Sequence, residues 1–340
     1  MRSIPDLKIQ WGISEEAAAL HADACVCDMT LPWVPESENK ETTLPRFKSA
    51  GFDFVSLSIG VERLGAGGTL HHMANVKAKI LAEPEKYVFV QKVDDICEAQ
   101  KRDKLALGFH FQGTEMLERN TNLVQLFYDL GIRHILLAKD YQNRAAGGCQ
   151  DRTDSGLSNY GVKLIKEMNR VGMLLDLSHT GYASSMEAME ICEAPVIFSH
   201  SNPSGVKPHR RNIRDDQIQA CAKKGGIIGM VGFGHFLKEN DISAESFVRN
   251  IDYVAGLVGP EHIGLGLDFV YYPEQFYRQV VENPGLWPDE YLKNMEGFRY
   301  FPPEELPRVT ELLLKQGYSE GEIRGILGEN FLRVAGRVWK

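Results

Sequence analysis

The sequence predicts an α/β fold, a (β/α)8 TIM barrel, on three observations: eight short apolar runs, helix-forming segments between them, and ionisable or polar residues where most of the runs stop. The runs are 24–28 (ACVCD), 52–60 (FDFVSLSIG), 105–111 (LALGFHF), 134–138 (HILLA), 173–178 (MLLDLS), 195–199 (PVIFS), 226–231 (GIIGMV) and 262–268 (HIGLGLD). Their hydrophobicity is continuous rather than alternating, as a strand buried on both faces by flanking helices requires. Eight such runs favour a closed barrel over its rival, a doubly wound open sheet. Between the fourth and fifth runs, Val162, Leu164, Ile165 and Met168 mark a helical face, with Gly172 where a C-cap belongs. After Asp268 come an aromatic-rich, loop-like segment (271–300) and two helical segments, PEELPRVTELLLKQG and SEGEIRGILGENFLRVAGRVW. No repeat, low-complexity linker or composition break interrupts the chain. Residues 1–340 are therefore expected to form a single barrel domain with a helical C-terminal extension.

Composition narrows the function classes. At 340 residues, 43% hydrophobic and 25% charged, the chain has ample material for a large core. Its net charge of -8 argues against a nucleic-acid partner. The first twenty residues, broken by Pro5, Gly12, Glu15 and Glu16, do not read as a signal peptide, and no window approaches the ~20 apolar residues that a bilayer demands. The expectation is a soluble cytoplasmic protein without a membrane partner. Six scattered cysteines fit reduced thiols, and Cys25 and Cys27 are expected to face opposite sides of the first run, unable to bridge each other.

In a barrel of this kind chemistry sits at the C-terminal ends of the strands. The terminating residues are Asp28, Ser58, His110 with Gln112, Lys139 with Asp140, His179, His200, Val231 and Asp268. A neutral imidazole is a good zinc ligand, and His179 and His200 end consecutive strands, with Asp268 able to converge on them as a further ligand or as a proton carrier. Against this stands the ordinary role of a single strand-end histidine as a solvated or capping residue; two on neighbouring strands plus an aspartate bring the readings level. His21-Ala22-Asp23 has a metal-binding spacing but precedes the first run, which places it at the opposite, stability face. His71 and His72 fall in a Gly-rich stretch read as a loop, exposed or functional.

From the fourth run onward, "GLSNYGVKLIKEMNRVGMLLDLSHTG", "APVIFSHSNPSGVKPHRRNIRDDQI", "GGIIGMVGFGHFL", "VGPEHIGLGLDF" and "ILGENFLRV" resemble the renal (membrane) dipeptidase family of zinc metallopeptidases. The resemblance implies the metal-dependent hydrolase type of (β/α)8 barrel. It also implies that the histidines of "DLSH" and "SHSN", here His179 and His200, hold one zinc ion. By the same resemblance Arg211 grips the substrate carboxylate, with Arg210 replacing the usual proline, and Asp268 shuttles the proton. The other half of the family site is missing. "CDMTLPW" stands where the family has "DGHND", with Thr30 near the histidine's place, and Gln112 in "FQG" replaces the glutamate that bridges two metals. Lys139 takes the place of a histidine or tyrosine near the scissile bond. This pattern resembles a divergent bacterial subgroup lacking the His-x-Asp and bridging Glu ligands. It implies one zinc ion, with the second site lost and Gln112 at most a weak ligand. Homodimers among family relatives make a homodimer the expectation for this chain.

The leading functional expectation is a hydrolase that cleaves a peptide or amide bond in a small carboxylate-bearing substrate, with Asp268 and Lys139 catalytic and Arg211 and Lys139 binding substrate. Its rivals are a metal-poor binder of a small carboxylate without peptidase activity and a lyase or isomerase using Lys139 and Asp268. A thiol nucleophile at Cys149 is the last, against an inert loop cysteine.

Overall fold

The computed structural model describes residues 3–35, 40–293 and 298–340. Eight parallel strands close on themselves: β1 (Val26–Pro32), β2 (Phe52–Val61), β4 (Leu105–Gln112), β5 (Ile132–Leu136), β6 (Leu174–Asp176), β7 (Ile197–Phe198), β8 (Ile227–Met230) and β9 (Ile263–Leu265). The ring runs β2-β1-β9-β8-β7-β6-β5-β4 and is shut by β4 pairing with β2, from Phe54 opposite Ala106 to Val61 opposite Gln112. The barrel reading holds, and the open-sheet alternative falls on that closing pair. A ninth strand, β3 (Tyr87–Phe89), was not legible in the sequence. It lies along the first half of β4, and β5 takes over that edge from Phe109.

The predicted runs and the strands coincide because burial on both faces demands continuous apolar residues; β2 is buried at every position. The strands that lead to the two histidines, β6 and β7, are among the shortest. β7 has two residues because the chain turns away at Ser199, whose carbonyl sits where a Cβ on either Gly229 or Gly266 would lie, 1.9 Å away in both cases. Those two glycines, one on β8 and one just after β9, leave room for the Ser199 carbonyl at the start of the "SHSN" turn. The helix Asn159–Val171 follows its predicted face, capped by Ser158 accepting from the Gly161 N–H and closed by Gly172 at φ 90°.

The two mouths of the barrel differ. At the N-terminal mouth, Cys25, Phe54, Ala106, Leu174, Ile197 and Ile227 form a plug with Phe331, Val334 and Val338 of the C-terminal helix Asn330–Val338. Phe54 and Phe331 stack there at 5.3 Å between centroids. Two expectations about this end need correction or precision. Cys25 and Cys27 do not face opposite sides. Residues two apart in a strand share a face, and the two sulfurs lie 3.9 Å apart as free thiols. His21 belongs to the helix Glu15–Asp23, where Nδ1 meets the Thr310 hydroxyl at 2.7 Å and Nε2 the Ala50 carbonyl at 2.9 Å. Both ring nitrogens are thereby committed to the scaffold. The His71-His72 stretch is also not a loop: it lies inside the helix Gly65–Ala82, with His72 buried and bonded to the Trp33 carbonyl. No described helix is long and apolar enough to cross a membrane.

Candidate active site

The C-terminal mouth opens into a cavity of about 150 Å³. Gln112, Lys139, Asp140, His179 and Asp268 line its polar floor. Its walls are aromatic, with Trp33 from the turn after β1 and Phe269, Tyr271, Phe276, Trp287 and Tyr291 from the segment after β9. That last segment, read as loop-like from the sequence, carries the helices Pro273–Glu282 and Asp289–Lys293. A part of it, 294–297, lies outside the described residues. Among the expected residues, His200 and Arg211 are not in the wall: they are fully or nearly fully buried one layer beneath.

Three floor residues share an unusual backbone. Asp140, His179 and Asp268 have φ of 62°, 65° and 54°, in the left-handed region where only asparagine, aspartate and histidine among side-chain-bearing residues are at all common. Each costs on the order of 1 kcal/mol or more, and such strain gathers where a side chain must be aimed. Here it turns the chain at the end of a strand so that the side chain faces the cavity.

The two histidines meet. His179 Nε2 and His200 Nε2 are 2.9 Å apart. His179 Nδ1 is bonded to Asp140 Oδ1 at 2.7 Å, and His200 Nδ1 to the hydroxyls of Ser199 at 2.7 Å and Thr30 at 3.1 Å. Burial, reinforced by the Arg211 charge and opposed by Asp140, brings the His179 imidazole down to about 4. Burial would push the Asp140 carboxyl up, but the His179 charge and hydrogen bond, Lys139 and Arg211 together hold it down at about 2. Burial, with Arg211 and His179, carries His200 well below its ordinary value. At neutral pH the arrangement is therefore an ionised Asp140 and two neutral rings. His179 donates its Nδ1–H to Asp140, which leaves its Nε2 bare, so the proton between the rings belongs to His200 Nε2, while His200 Nδ1 accepts from Thr30 or Ser199. A hydroxyl donates or accepts equally well, so the His200 tautomer can reverse and free both Nε2 lone pairs toward one cation.

That donor set fits half of a metal centre. Two nitrogens on one tetrahedral zinc lie ~3.4 Å apart at Zn–N bonds of ~2.0–2.1 Å, within half an ångström of the observed pair, and a carboxylate on the far ring nitrogen is the usual support for a ligating histidine. The donors for a second ion are not assembled: among the described residues no three His, Cys, Asp or Glu side chains converge on a common point. Thr30 serves His200, and Gln112 turns its oxygen to the Lys139 ammonium at 2.7 Å and its amide N–H to Ser58 Oγ at 3.1 Å.

The remaining charges surround this floor. Burial raises the Asp268 carboxyl above the ordinary carboxylate range, against the pull of Lys139 and Arg211. Burial lowers Lys139, opposed by Asp140, Asp268 and Glu62. Arg211 donates to the His200 carbonyl at 2.7 Å and Ser201 Oγ at 3.0 Å, while its buried Nε has no partner among the described residues. Cys149 lies 3.9 Å from Asp140 Oδ1, and burial followed by that carboxylate raises the thiol far above its usual value, the opposite of what a nucleophile needs.

Sequence reasoning named Asp140 as a strand end but gave it no role. Its signal was chemical, a carboxylate one strand away from a ligand histidine. Glu290 was invisible: its carboxylate meets His209 Nε2 at 3.1 Å and Gln150 at 3.0 Å and so ties the aromatic segment to two other loops, contacts that only the folded chain creates.

Comparison with known proteins places this geometry. Residues 32–277 match the model of the membrane dipeptidase family, peptidase family M19. An uncharacterised dipeptidase of Schizosaccharomyces pombe is 29% identical over 260 residues, 74% of this chain and 57% of its own length. The dipeptidase tcpJ of Claviceps purpurea is 28% identical over 255 residues, 74% and 55% of the two lengths. The chain thus spans little more than half the length of these relatives. Among solved structures, an amidohydrolase from Pseudomonas aeruginosa superposes with a TM-score of 0.85 at 29% identity, covering 95% of this chain and 99% of that one. The dipeptidase AC, a metallopeptidase of family M19, shares the fold at a TM-score of 0.76 and 20% identity over 93% and 99% of the chains. With the family model covering most of its length and a closed eight-stranded barrel beneath the site, the chain belongs to the membrane dipeptidase family of metal-dependent peptidases.

Proposed function

We propose that this protein is a dipeptidase-like amidohydrolase that cleaves a peptide or amide bond in a small, carboxylate-bearing substrate, with one zinc ion rather than two. The observation that carries the reading is the His179–His200 pair, two neutral imidazoles whose Nε2 atoms face each other at 2.9 Å while their Nδ1 atoms are tied elsewhere. His179 and His200 would hold the ion, with Asp268 as a further ligand candidate. When bound, zinc supplies a Lewis acid that lets water lose a proton near neutral pH.

The chain's own residues divide the rest. Asp268 takes the proton of the attacking water; a C–O bond forms at the carbonyl carbon and the π pair moves onto the carbonyl oxygen. When that pair returns, the C–N bond breaks and Asp268 gives the proton to the leaving amine. Its buried setting, which raises the carboxyl, suits a group that must both take and return a proton. Lys139 and Arg211 supply positive charge for the substrate's anionic oxygens, Lys139 from the cavity floor and Arg211 from behind His200. The aromatic walls exclude water and receive the substituent. The six free thiols support a reducing, cytoplasmic setting.

One observation favours the second reading, a metal-poor binder without peptidase activity: no third metal donor converges among the described residues. A panel of dipeptides and N-acyl amino acids, assayed with added zinc, separates the two. Hydrolysis of at least one member, reduced at least ~10³-fold in His200→Ala, is expected. No turnover by the wild type, or turnover undiminished in that variant, contradicts the proposal.

A further inference from the structure

The floor of the cavity carries a cation of its own. Lys139 Nζ lies 2.7 Å from Gln112 Oε1, so the oxygen at the end of β4 already faces a positive charge. The amide is held in turn: its N–H donates to Ser58 Oγ at 3.1 Å, and Ser58 Oγ meets His110 Nε2 at 2.7 Å. His110 Nδ1 meets Ser56 Oγ at 2.9 Å, and burial keeps the ring neutral.

Ser58 Oγ accepts from the Gln112 amide and has one proton, which it can donate to His110 Nε2, with Nδ1–H then the donor to Ser56. The ammonium can only donate, so it sets the orientation of the Gln112 amide, oxygen toward Lys139 and N–H toward Ser58. A carboxylate at position 112 would accept from both Lys139 and Ser58, taking the serine proton away from His110 and cancelling the Lys139 charge. The neutral amide does neither. It fixes the ammonium without adding to the Asp140, Asp268 and Glu62 carboxylates that already act on it, half-buried on the floor and 5.8 Å from the Trp287 ring centroid.

We propose that Lys139 is a resident cation doing the work of a second metal ion, and that Gln112 is its positioning residue rather than a metal ligand. The inference rests on the hydrolase reading for the step it serves. As water adds to the carbonyl carbon, the π pair placed on oxygen becomes an anion, and Lys139 donates a charge-assisted hydrogen bond to it. No proton or electron is exchanged with Lys139, and the bond relaxes when the carbonyl reforms.

The test uses a phosphinate analogue of alanyl-alanine, whose tetrahedral anionic phosphorus imitates that oxyanion and which requires no turnover. Affinity is measured by calorimetry on the intact zinc-loaded protein, with bound zinc quantified in each variant. Lys139→Met is expected to weaken binding by about 30-fold or more, Lys139→Arg by no more than about fivefold, and Gln112→Leu by about five- to tenfold at unchanged zinc content. In the Lys139→Met background the Gln112→Leu change is expected to have no further effect, because Gln112 acts through the ammonium. The proposal is overturned if the wild type does not bind the phosphinate, if Lys139→Met binds it within twofold of wild type, if Gln112→Leu sheds zinc, or if that change costs as much without Lys139 as with it. Absence of peptide hydrolysis alongside the expected binding pattern overturns the hydrolase reading alone.

Discussion

A buried histidine on the N-terminal side of the barrel and the buried pair at its C-terminal mouth are used in opposite ways. On the N-terminal side His21 is bonded to the Thr310 hydroxyl and the Ala50 carbonyl, so each ring nitrogen has a fixed scaffold partner and nothing is left to offer a ligand. At the C-terminal mouth each of His179 and His200 spends one nitrogen on the scaffold and turns the other toward its partner ring. Burial lowers His21 and His179 alike to about 4. Depressed basicity alone therefore does not mark a site. What separates the ends is a pair of ring nitrogens that face each other rather than the scaffold, and the strained backbone that aims one of them: His179 has φ 65°, whereas His21 sits in a regular helix.

Truncating the two kinds of histidine should have the largest and most divergent effects. His179→Ala or His200→Ala is expected to lower hydrolysis by at least ~10³-fold and to remove the bound ion. His21→Ala is expected to leave turnover per folded molecule unchanged while costing roughly 2–4 kcal/mol of stability, from the lost packing and two unsatisfied partners, as read by denaturant unfolding. Asp140→Asn comes next. It replaces the anion behind His179 with an amide, and metal affinity measured by competition with a chelator is expected to fall by about 10–100-fold without loss of the fold.

A pH experiment sharpens the contrast at the other end. His21 titrates at about 4 in the fold against 6.5 in the unfolded chain. Between those values the unfolded state binds a proton that the folded state refuses, so His21 makes stability fall as pH drops from 6.5 toward 4. The difference in unfolding free energy between pH 7 and pH 5 is expected to shrink by roughly 1 kcal/mol or more in His21→Asn. An unchanged difference would show that His21 is not held neutral. The smallest expected effect concerns the covering segment: Glu290→Gln removes the charge that meets His209 and is expected to raise KM two- to threefold with little change in kcat.

Much of this was legible in the sequence for a simple reason. Strands buried on both faces must be continuously apolar, so all eight barrel strands stood out, and the residues ending them were the right ones to inspect. Tyr87–Phe89 was missed because three half-buried residues paired to one edge of β4 leave no run long enough to notice. The error at Cys25 and Cys27 was one of geometry, since a period of two puts them on the same face. The strand-end residues His179, His200, Lys139, Gln112 and Asp268 were visible as residue types. Their pairings were not, because a hydrogen bond such as Lys139 to Gln112 joins positions 27 apart through the pairing of β4 with β5. The segment after Asp268 read as a loop because its two helices, Pro273–Glu282 and Asp289–Lys293, are short and separated by Pro284 and Pro288, which break the run into pieces too brief for a helical period to stand out.

Metal analysis of protein purified without chelator decides whether His179 and His200 seat a single ion, as proposed. The account predicts about one equivalent of zinc in the wild type and less than about 0.1 in His200→Ala. Less than about 0.1 equivalent in the wild type, two equivalents, or one equivalent retained by His200→Ala would contradict it.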